Sequence, residues 1–151
     1  KYSGQVTMSH AGLKPKARMA NESEFLSGEK TIMVATSAFG MGIDLDSVDL
    51  VIHFNMSLSL TDYMQQSGRA GRNGQKAHAV LLYSDEDYYT NLEILHNGHP
   101  TLRGMEQLDM MKEFCDDNKH CMAQLLMEHF GQKMKKSCKH CTVCQKNRRK
   151  K

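Results

Sequence analysis

The sequence predicts an α/β fold with a mainly parallel sheet and flanking helices, followed by a small helical hairpin. Four short apolar runs, partly β-branched, are separated by segments long enough for helices, an alternation typical of parallel α/β folds. All five cysteines lie in the last quarter of the chain, and three of them repeat at the C-x-x-C interval. With 151 residues, the chain is long enough to bury one ordinary core.

Each predicted element is bounded by characteristic residues. The apolar runs predict strands at residues 6–8, 31–35, 50–54 and 79–83. Pro15 suits a first helical turn and Gly28 suits a turn after a helix, so a helix is expected over residues 15–26. Ser-x-x-acid patterns beginning at Ser59 and Ser84 predict helices that start near residues 60 and 85.

The pattern changes after the polar segment 96–100. Apolar side chains recur at helical spacing over residues 105–115 and again over 122–130, with a break at 116–119, and this predicts a helical hairpin. We therefore divide the chain into an α/β unit (1–100), a helical module (101–146) and a basic tail (147–151). The methionines of the hairpin indicate either core packing, which their spacing favours, or an adaptable binding surface.

Bulk charge does not define a partner. The net charge is only +3, but residues 133–151 contain Lys and Arg without any Asp or Glu. That segment can meet phosphates or can be a solvated tail. No apolar run approaches the roughly 18 residues of a membrane span, and no signal peptide opens the chain, so we expect a soluble, intracellular protein without membrane contact.

The cysteine cluster indicates a metal. Cys138, Cys141 and Cys144 follow Cys121 after sixteen residues, and four thiolates would satisfy tetrahedral Zn²⁺ completely, which defines a structural site. The nearby lysines would offset the negative charge of such a centre and lower the thiol pKa values. Two alternatives stay open: His120 or His140 replaces a thiol, or Cys115 is a ligand instead of a small hydrophobe on an apolar helix face.

A second chemical motif lies at residues 65–72, Gln-Gln-Ser-Gly-Arg-Ala-Gly-Arg. Arg69 and Arg72 lie three residues apart among glycines, which allow the backbone to approach a ligand closely. The planar donor fork of arginine suits phosphate oxygens. The alternative from spacing alone is a glycine-rich turn with surface arginines.

These blocks carry a family resemblance. Two segments resemble the fifth and sixth motifs of superfamily 2 helicases, namely ATSAFGMGID at 35–44 and QQSGRAGRNG at 65–74. Their sequences are specifically similar to those of the RecQ family. The segment SHAGL at 9–13 resembles the same family, and the resemblance covers nearly the whole chain. It implies a RecA-like second motor lobe followed by the RecQ zinc module, in an ATP-dependent 3′-to-5′ DNA helicase of DNA repair, recombination or replication.

The resemblance implies a role for each residue of the sixth motif. Gln65 and Gly68 would lie at the nucleotide, Arg69 would support the motif, and Arg72 would reach the γ-phosphate across the cleft. In the zinc module, the resemblance makes Cys121 the first ligand and excludes Cys115.

The fifth motif would serve both nucleotide and DNA. By the resemblance, Gly42 fixes a turn and Asp44 lies near the nucleotide ribose. Thr36 and Ser37 would lie towards the DNA strand, and the expected partners are single strands and duplex junctions.

Some residues depart from the family pattern. Asn73 and Met64 stand where an Asp and an aromatic residue are common, and segment 57–59 lacks a frequent proline. Met122 and Ala123 stand where an arginine often follows the first cysteine, so the zinc module is expected to dock more loosely. The changes at Asn73, Met64 and 57–59 remove no charged catalytic group, so we expect them to affect affinity and coupling more than function.

The phosphate-binding loop G-x-x-x-x-G-K-[ST] and the Asp-Glu metal box do not occur in this sequence. We therefore expect an N-terminally truncated lobe that is inactive alone and that meets ATP and Mg²⁺ only with the first RecA-like lobe of a full-length parent. The expected location is the cytoplasm if the source is bacterial and the nucleus if it is eukaryotic. Two alternatives are a non-catalytic zinc-containing nucleic-acid-binding module and a related motor that acts on RNA.

Overall fold

The computed structural model describes residues 4–37, 39, 48–98 and 100–149, which form four strands and six helices. The strands are β1 (Val6–Ser9), β2 (Ile32–Ala35), β3 (Leu50–His53) and β4 (His78–Leu81). The helices are α1 (Pro15–Leu26), α2 (Leu60–Ser67), α3 (Asp85–Asn97), α4 (Leu102–Asp116), α5 (Met122–His129) and α6 (Thr142–Arg149). The predicted order of strands and helices is confirmed.

The strands pair in parallel, as predicted. β1 pairs with β2 and β3 pairs with β4, and within the described residues these are two separate two-stranded sheets. Helix α1 connects β1 to β2 and packs on β1, where Asn21 Nδ2 donates to the Met8 carbonyl at 2.8 Å and Ser9 Oγ donates to Glu22 Oε1 at 2.7 Å. This is the crossover that joining two parallel strands requires.

The helix starts agree with the predicted capping residues. Helix α1 begins at Pro15. Ser59 Oγ accepts a hydrogen bond from the Asp62 backbone N–H at 3.0 Å at the start of α2. Ser84 and Asp87 form a capping box at the start of α3, because each side chain accepts from the backbone of the other residue.

The main described core joins the two predicted units. Helix α4 contributes Leu108, Met111 and Phe114, and these pack against Met56, Leu60 and Tyr63 from α2 and the loop before it. Met111 is fully buried, whereas its neighbour Met110 is 44% exposed. Core packing therefore describes Met111 and the half-buried Met122, which packs against the same core, whereas Met105 and Met110 are exposed.

Helix α6 was not expected from the sequence. Only Val143 of this helix is buried, and its last turn carries Lys146, Arg148 and Arg149. Its eight residues lie across the predicted border between the helical module and the basic tail. Among the described helices, none combines the length and apolar character needed to cross a membrane.

Candidate metal centre and arginine segment

Four cysteine sulfurs converge at the end of the helical module. Cys121 is the N-cap residue of α5, Cys138 and Cys141 lie in the loop before α6, and Cys144 lies in the first turn of α6. All four sulfurs lie within 4.8 Å of one another, and the Cys138 and Cys144 sulfurs are 4.0 Å apart. A tetrahedral Zn²⁺ with bonds of about 2.3 Å separates its sulfurs by about 3.8 Å, so the cluster fits this ion with small adjustments.

Backbone N–H groups point at the sulfurs. The N–H of Cys138 donates to Cys121 Sγ at 3.2 Å, the N–H of Cys141 donates to Cys138 Sγ at 3.2 Å, and the N–H of Cys144 donates to Cys141 Sγ at 3.5 Å. The tight turn between Cys138 and Cys141 passes through Lys139 with φ at 64°. Such donors stabilise thiolates, which are the form that binds metal.

The thiol pKa values are unequal. Burial, the largest influence, raises the pKa of Cys121, but hydrogen bonds from the backbone of Cys138 and Gln124 and from neighbouring thiols lower it to about 6. Burial and the neighbouring thiols raise the pKa of Cys144 to about 12. Burial opposes ionisation of Cys141 as well, yet backbone hydrogen bonds bring its pKa below the usual value. A thiol at a helix N-terminus, like Cys121, is also favoured as a thiolate by the helix dipole.

The alternative ligands lie outside this cluster. Among the described residues, the group that could hold a metal ion consists of the four cysteines, without Cys115, His120 or His140. Cys115 packs against the apolar core, and burial raises the pKa of its thiol to about 12. His120 bonds through Nδ1 to Asp117 Oδ2 at 2.7 Å. The geometry therefore favours the four-cysteine set.

Two glycines shape the segment that carries the arginines. Gly68 ends α2, and a Cβ there would lie 2.9 Å from the Met64 carbonyl oxygen. Gly71 has φ at 74°, and a Cβ there would lie 3.0 Å from both the Ala77 Cβ and the Gln75 carbonyl oxygen. A Cβ at either position would force its neighbours to shift, so the path of the backbone through residues 68–71 favours glycine.

Arg69 and Arg72 lie near each other at this turn. Burial, and then the positive charge of Arg72, lower the pKa of the Arg69 guanidinium. Arg69 is half-buried, whereas Arg72 is exposed, as is Gln65 on α2. Two guanidinium groups on one short turn suit an anion with several oxygens, such as a phosphate.

The other predicted site residues have different outcomes. Thr36 and Ser37 are exposed just after the carboxyl end of β2, where the Thr36 N–H donates to the Ser9 carbonyl at 3.2 Å. Their role towards DNA stays a prediction. Gly42 and Asp44 lie outside the described residues, so their predicted role at the nucleotide also stays a prediction.

Sequence reasoning missed a buried polar clamp on the loop before α2. Asp87 accepts from Asn55 Nδ2 at 2.8 Å and from the Met56 N–H at 3.4 Å, and Asn91 Nδ2 donates to the Met56 carbonyl at 2.8 Å. Burial raises the pKa of Asp87, but these bonds and one from the Ser84 N–H leave it below its usual value. Asp87 and Asn91 lie four residues apart, so they share one face of α3. This spacing of two polar residues was the sequence signal from which the clamp could have been predicted.

Two family models match the chain along its length. The model described as "Helicase conserved C-terminal domain" matches residues 1–74, and the model described as "RecQ zinc-binding" matches residues 59–145. The second match covers more than half of the chain and includes all four clustered cysteines. The class is therefore a helicase motor lobe with a zinc-binding module.

Within that class, the chain belongs to the RecQ family. It is 36% identical over 141 residues to the ATP-dependent DNA helicase hus2/rqh1 of Schizosaccharomyces pombe, and the match covers 89% of this chain and 11% of that protein. It is 33% identical to the ATP-dependent DNA helicase RecQ of Bacillus subtilis, and this match covers 89% of this chain and 23% of that protein. The chain thus spans less than a quarter of the length of these relatives.

A likeness to a solved structure supports the α/β fold. The chain superposes on a structure of the Saccharomyces cerevisiae protein Dbp5, bound to Gle1 and IP6, with a TM-score of 0.51 and 20% sequence identity. The match covers 76% of this chain and 33% of that chain. At this identity the likeness shows the fold alone, and the predicted RecA-like fold is confirmed.

Proposed function

We propose that this chain is the ATP-responsive second lobe and zinc module of a RecQ-type ATP-dependent 3′-to-5′ DNA helicase. The observation that carries the proposal is the shared core, in which α2, the helix leading into Arg69 and Arg72, packs on α4 of the zinc module. The relatives named as ATP-dependent DNA helicases support the same activity. The proposed biological setting is DNA repair, recombination or replication, in the cytoplasm of a bacterium or the nucleus of a eukaryote.

The arginine segment would complete an ATP site. Arg72 is exposed and would reach the γ-phosphate from across a cleft, and Arg69 would support the motif beside it. An arginine placed at a transferring phosphoryl group accelerates the transfer by about 10³ to 10⁵. Gln65 and Gly68, with Gly42 and Asp44, would line the nucleotide side. ATP and Mg²⁺ would be held mainly by the first RecA-like lobe of the parent protein, so this chain would be inactive alone.

The four thiolates would hold one structural Zn²⁺. A complete set of protein ligands leaves no open coordination position, so the ion would tie Cys121 at the start of α5 to the segment from Cys138 to Cys144. The segment from Cys138 to the end of α6 has little core of its own, because Val143 is the one buried side chain of α6. Metal binding would therefore supply much of the folding free energy of this segment.

DNA is the proposed substrate, in the form of single strands and duplex junctions. Thr36 and Ser37 are exposed at the carboxyl end of a strand, where ligands of parallel α/β sheets bind. The relatives' names support DNA as the nucleic acid.

A second candidate function is a non-catalytic zinc-containing module that holds nucleic acid through α6. The observation in its favour is the exposed basic turn formed by Lys146, Arg148 and Arg149. Binding through phosphate contacts alone would weaken steeply with salt and would not respond to nucleotide. A motor predicts instead that ATP analogues change the affinity for DNA.

The test of the proposed function is the Arg72→Ala variant of the full-length parent. We expect DNA-stimulated ATP hydrolysis to fall by about 10³-fold or more while ATP binding and zinc content stay near wild type. Arg103→Ala, which removes an exposed arginine from α4, is the matched control and should hydrolyse ATP normally. Unchanged turnover in Arg72→Ala would overturn the assignment.

A further inference from the structure

His53 is bonded to the helix that leads into the arginine segment. It is the last residue of β3 and is 8% exposed. Its Nε2 lies 2.9 Å from Gln66 Oε1, and Ser57 Oγ donates to the same oxygen at 3.4 Å. An amide oxygen can only accept, so the ring donates from Nε2. The buried last residue of β3 is thereby bonded to the side chain of a residue in the last turn of α2.

Gln66 connects this bond to the arginines. Its backbone carbonyl accepts from the Arg69 N–H at 3.3 Å, at the point where α2 ends at Gly68. One residue therefore contacts His53 through its side chain and Arg69 through its backbone. A change in the position of Gln66 would move the beginning of the arginine segment.

The His53 ring also contacts the core that reaches the zinc module. Its centroid lies 4.9 Å from that of Tyr63, and Tyr63 lies 5.7 Å from Phe114 of α4. Burial, the largest influence, lowers the pKa of His53, which is consistent with a neutral ring. The contacts with Gln66 and Tyr63 hold the imidazole in one orientation. A side chain that positions another group must itself be held in place in this way.

We propose that His53 is a positioning residue for the arginine segment, acting through its hydrogen bond to Gln66. The proposal rests on the proposed function, because it concerns the placement of Arg69 and Arg72 for ATP hydrolysis. In this proposal His53 acts on the arginines through the end of α2. Displacement of a reacting group by about 1 Å can cost about 100-fold in rate, so the loss of one hydrogen bond can have a large effect on turnover.

Two substitutions at one position separate hydrogen bonding from packing. His53→Phe keeps a ring against Tyr63 but removes the donor, whereas His53→Gln places an amide N–H close to the position of Nε2. In the full-length parent we expect His53→Phe to lower kcat for DNA-stimulated ATP hydrolysis by about 10- to 100-fold with KM for ATP within about twofold, and His53→Gln to recover most of the loss. His96→Phe, at an exposed position of α3, is the matched control and should be wild type.

The outcomes distinguish positioning from a merely structural role. A normal kcat for His53→Phe, or a His53→Gln variant as slow as His53→Phe, would overturn the proposal. Zinc content and circular dichroism report whether each variant folds. If His53→Phe does not fold, Gln66→Leu removes the same bond from its half-buried partner and should show the same fall in kcat. If Arg72→Ala is fully active, the proposed function fails. If Arg72→Ala is inactive while His53→Phe is normal, only the positioning role fails.

Discussion

Met111 provides the sharpest test of the shared core. Its side chain is fully buried between α4 and α2, and Met111→Ala removes three side-chain heavy atoms from that contact. At about 0.8 kcal/mol for each buried methylene-sized group, the transfer contribution is about 2.4 kcal/mol, and the residual cavity adds to it. We therefore expect the free energy of unfolding to fall by about 3 to 4 kcal/mol. With a urea dependence of about 2 kcal/mol per molar, the midpoint should fall by about 1.5 to 2 M.

The adjacent Met110 is the matched control, because it undergoes the same chemical change at 44% exposure. Met110→Ala should cost less than about 1 kcal/mol. Urea unfolding is followed by circular dichroism at a fixed excess of zinc, since metal binding changes apparent stability. Equal losses for the two variants, or a loss below about 1 kcal/mol for Met111→Ala, would refute the described packing of α4 on α2.

Two further predictions concern the polar clamp and the glycine turn. Asp87→Asn should lower the free energy of unfolding by about 2 kcal/mol at pH 7, because it weakens hydrogen bonds to a charged acceptor. The folded-state pKa of Asp87 lies below its unfolded value. The difference in free energy of unfolding between Asp87→Asn and wild type should therefore be full above about pH 4 and should shrink as the pH falls further. A difference that stays constant down to pH 2 in urea titrations would contradict this. Gly71→Ala should destabilise more than Gly74→Ala, because both have positive φ but only Gly71 has neighbours 3.0 Å from a new Cβ. Equal thermal midpoints for the two alanine variants would show that this close approach is unimportant.

Local sequence signals were sufficient for most elements of the fold. Pro15 and the caps Ser59 and Ser84 gave the helix starts directly, because capping is decided by residues close in the chain. Helix α6 was missed because Val143 is its only buried side chain and the rest is polar or basic, so no apolar period marks it. The helix starts at Thr142, between Cys141 and Cys144 of the cysteine cluster, and the spacing of apolar residues does not predict a helix start of this kind.

The candidate site was predictable in part for the same reason. Cys138, Cys141 and Cys144, and likewise the two arginines, lie in short patterns with a direct chemical meaning, so they were singled out without a structure. Cys121 lies far from the other three in the chain, and it was chosen over Cys115 through the family resemblance. The bonds from His53 to Gln66 and from Asp87 to Asn55 join residues 13 and 32 positions apart. Such pairs depend on how strands and helices pack, and a single sequence with no packing information does not specify them.

The most direct test of the zinc-module assignment is the metal content of the protein measured by native and denaturing mass spectrometry. Wild type and Cys115→Ser should each carry one zinc per chain, because Cys115 packs in the core away from the cluster, whereas Cys121→Ser should lose the ion or bind it much more weakly. No zinc in wild type, or equal zinc in wild type and Cys121→Ser, would contradict the four-cysteine centre and the assignment of this segment as a RecQ zinc module.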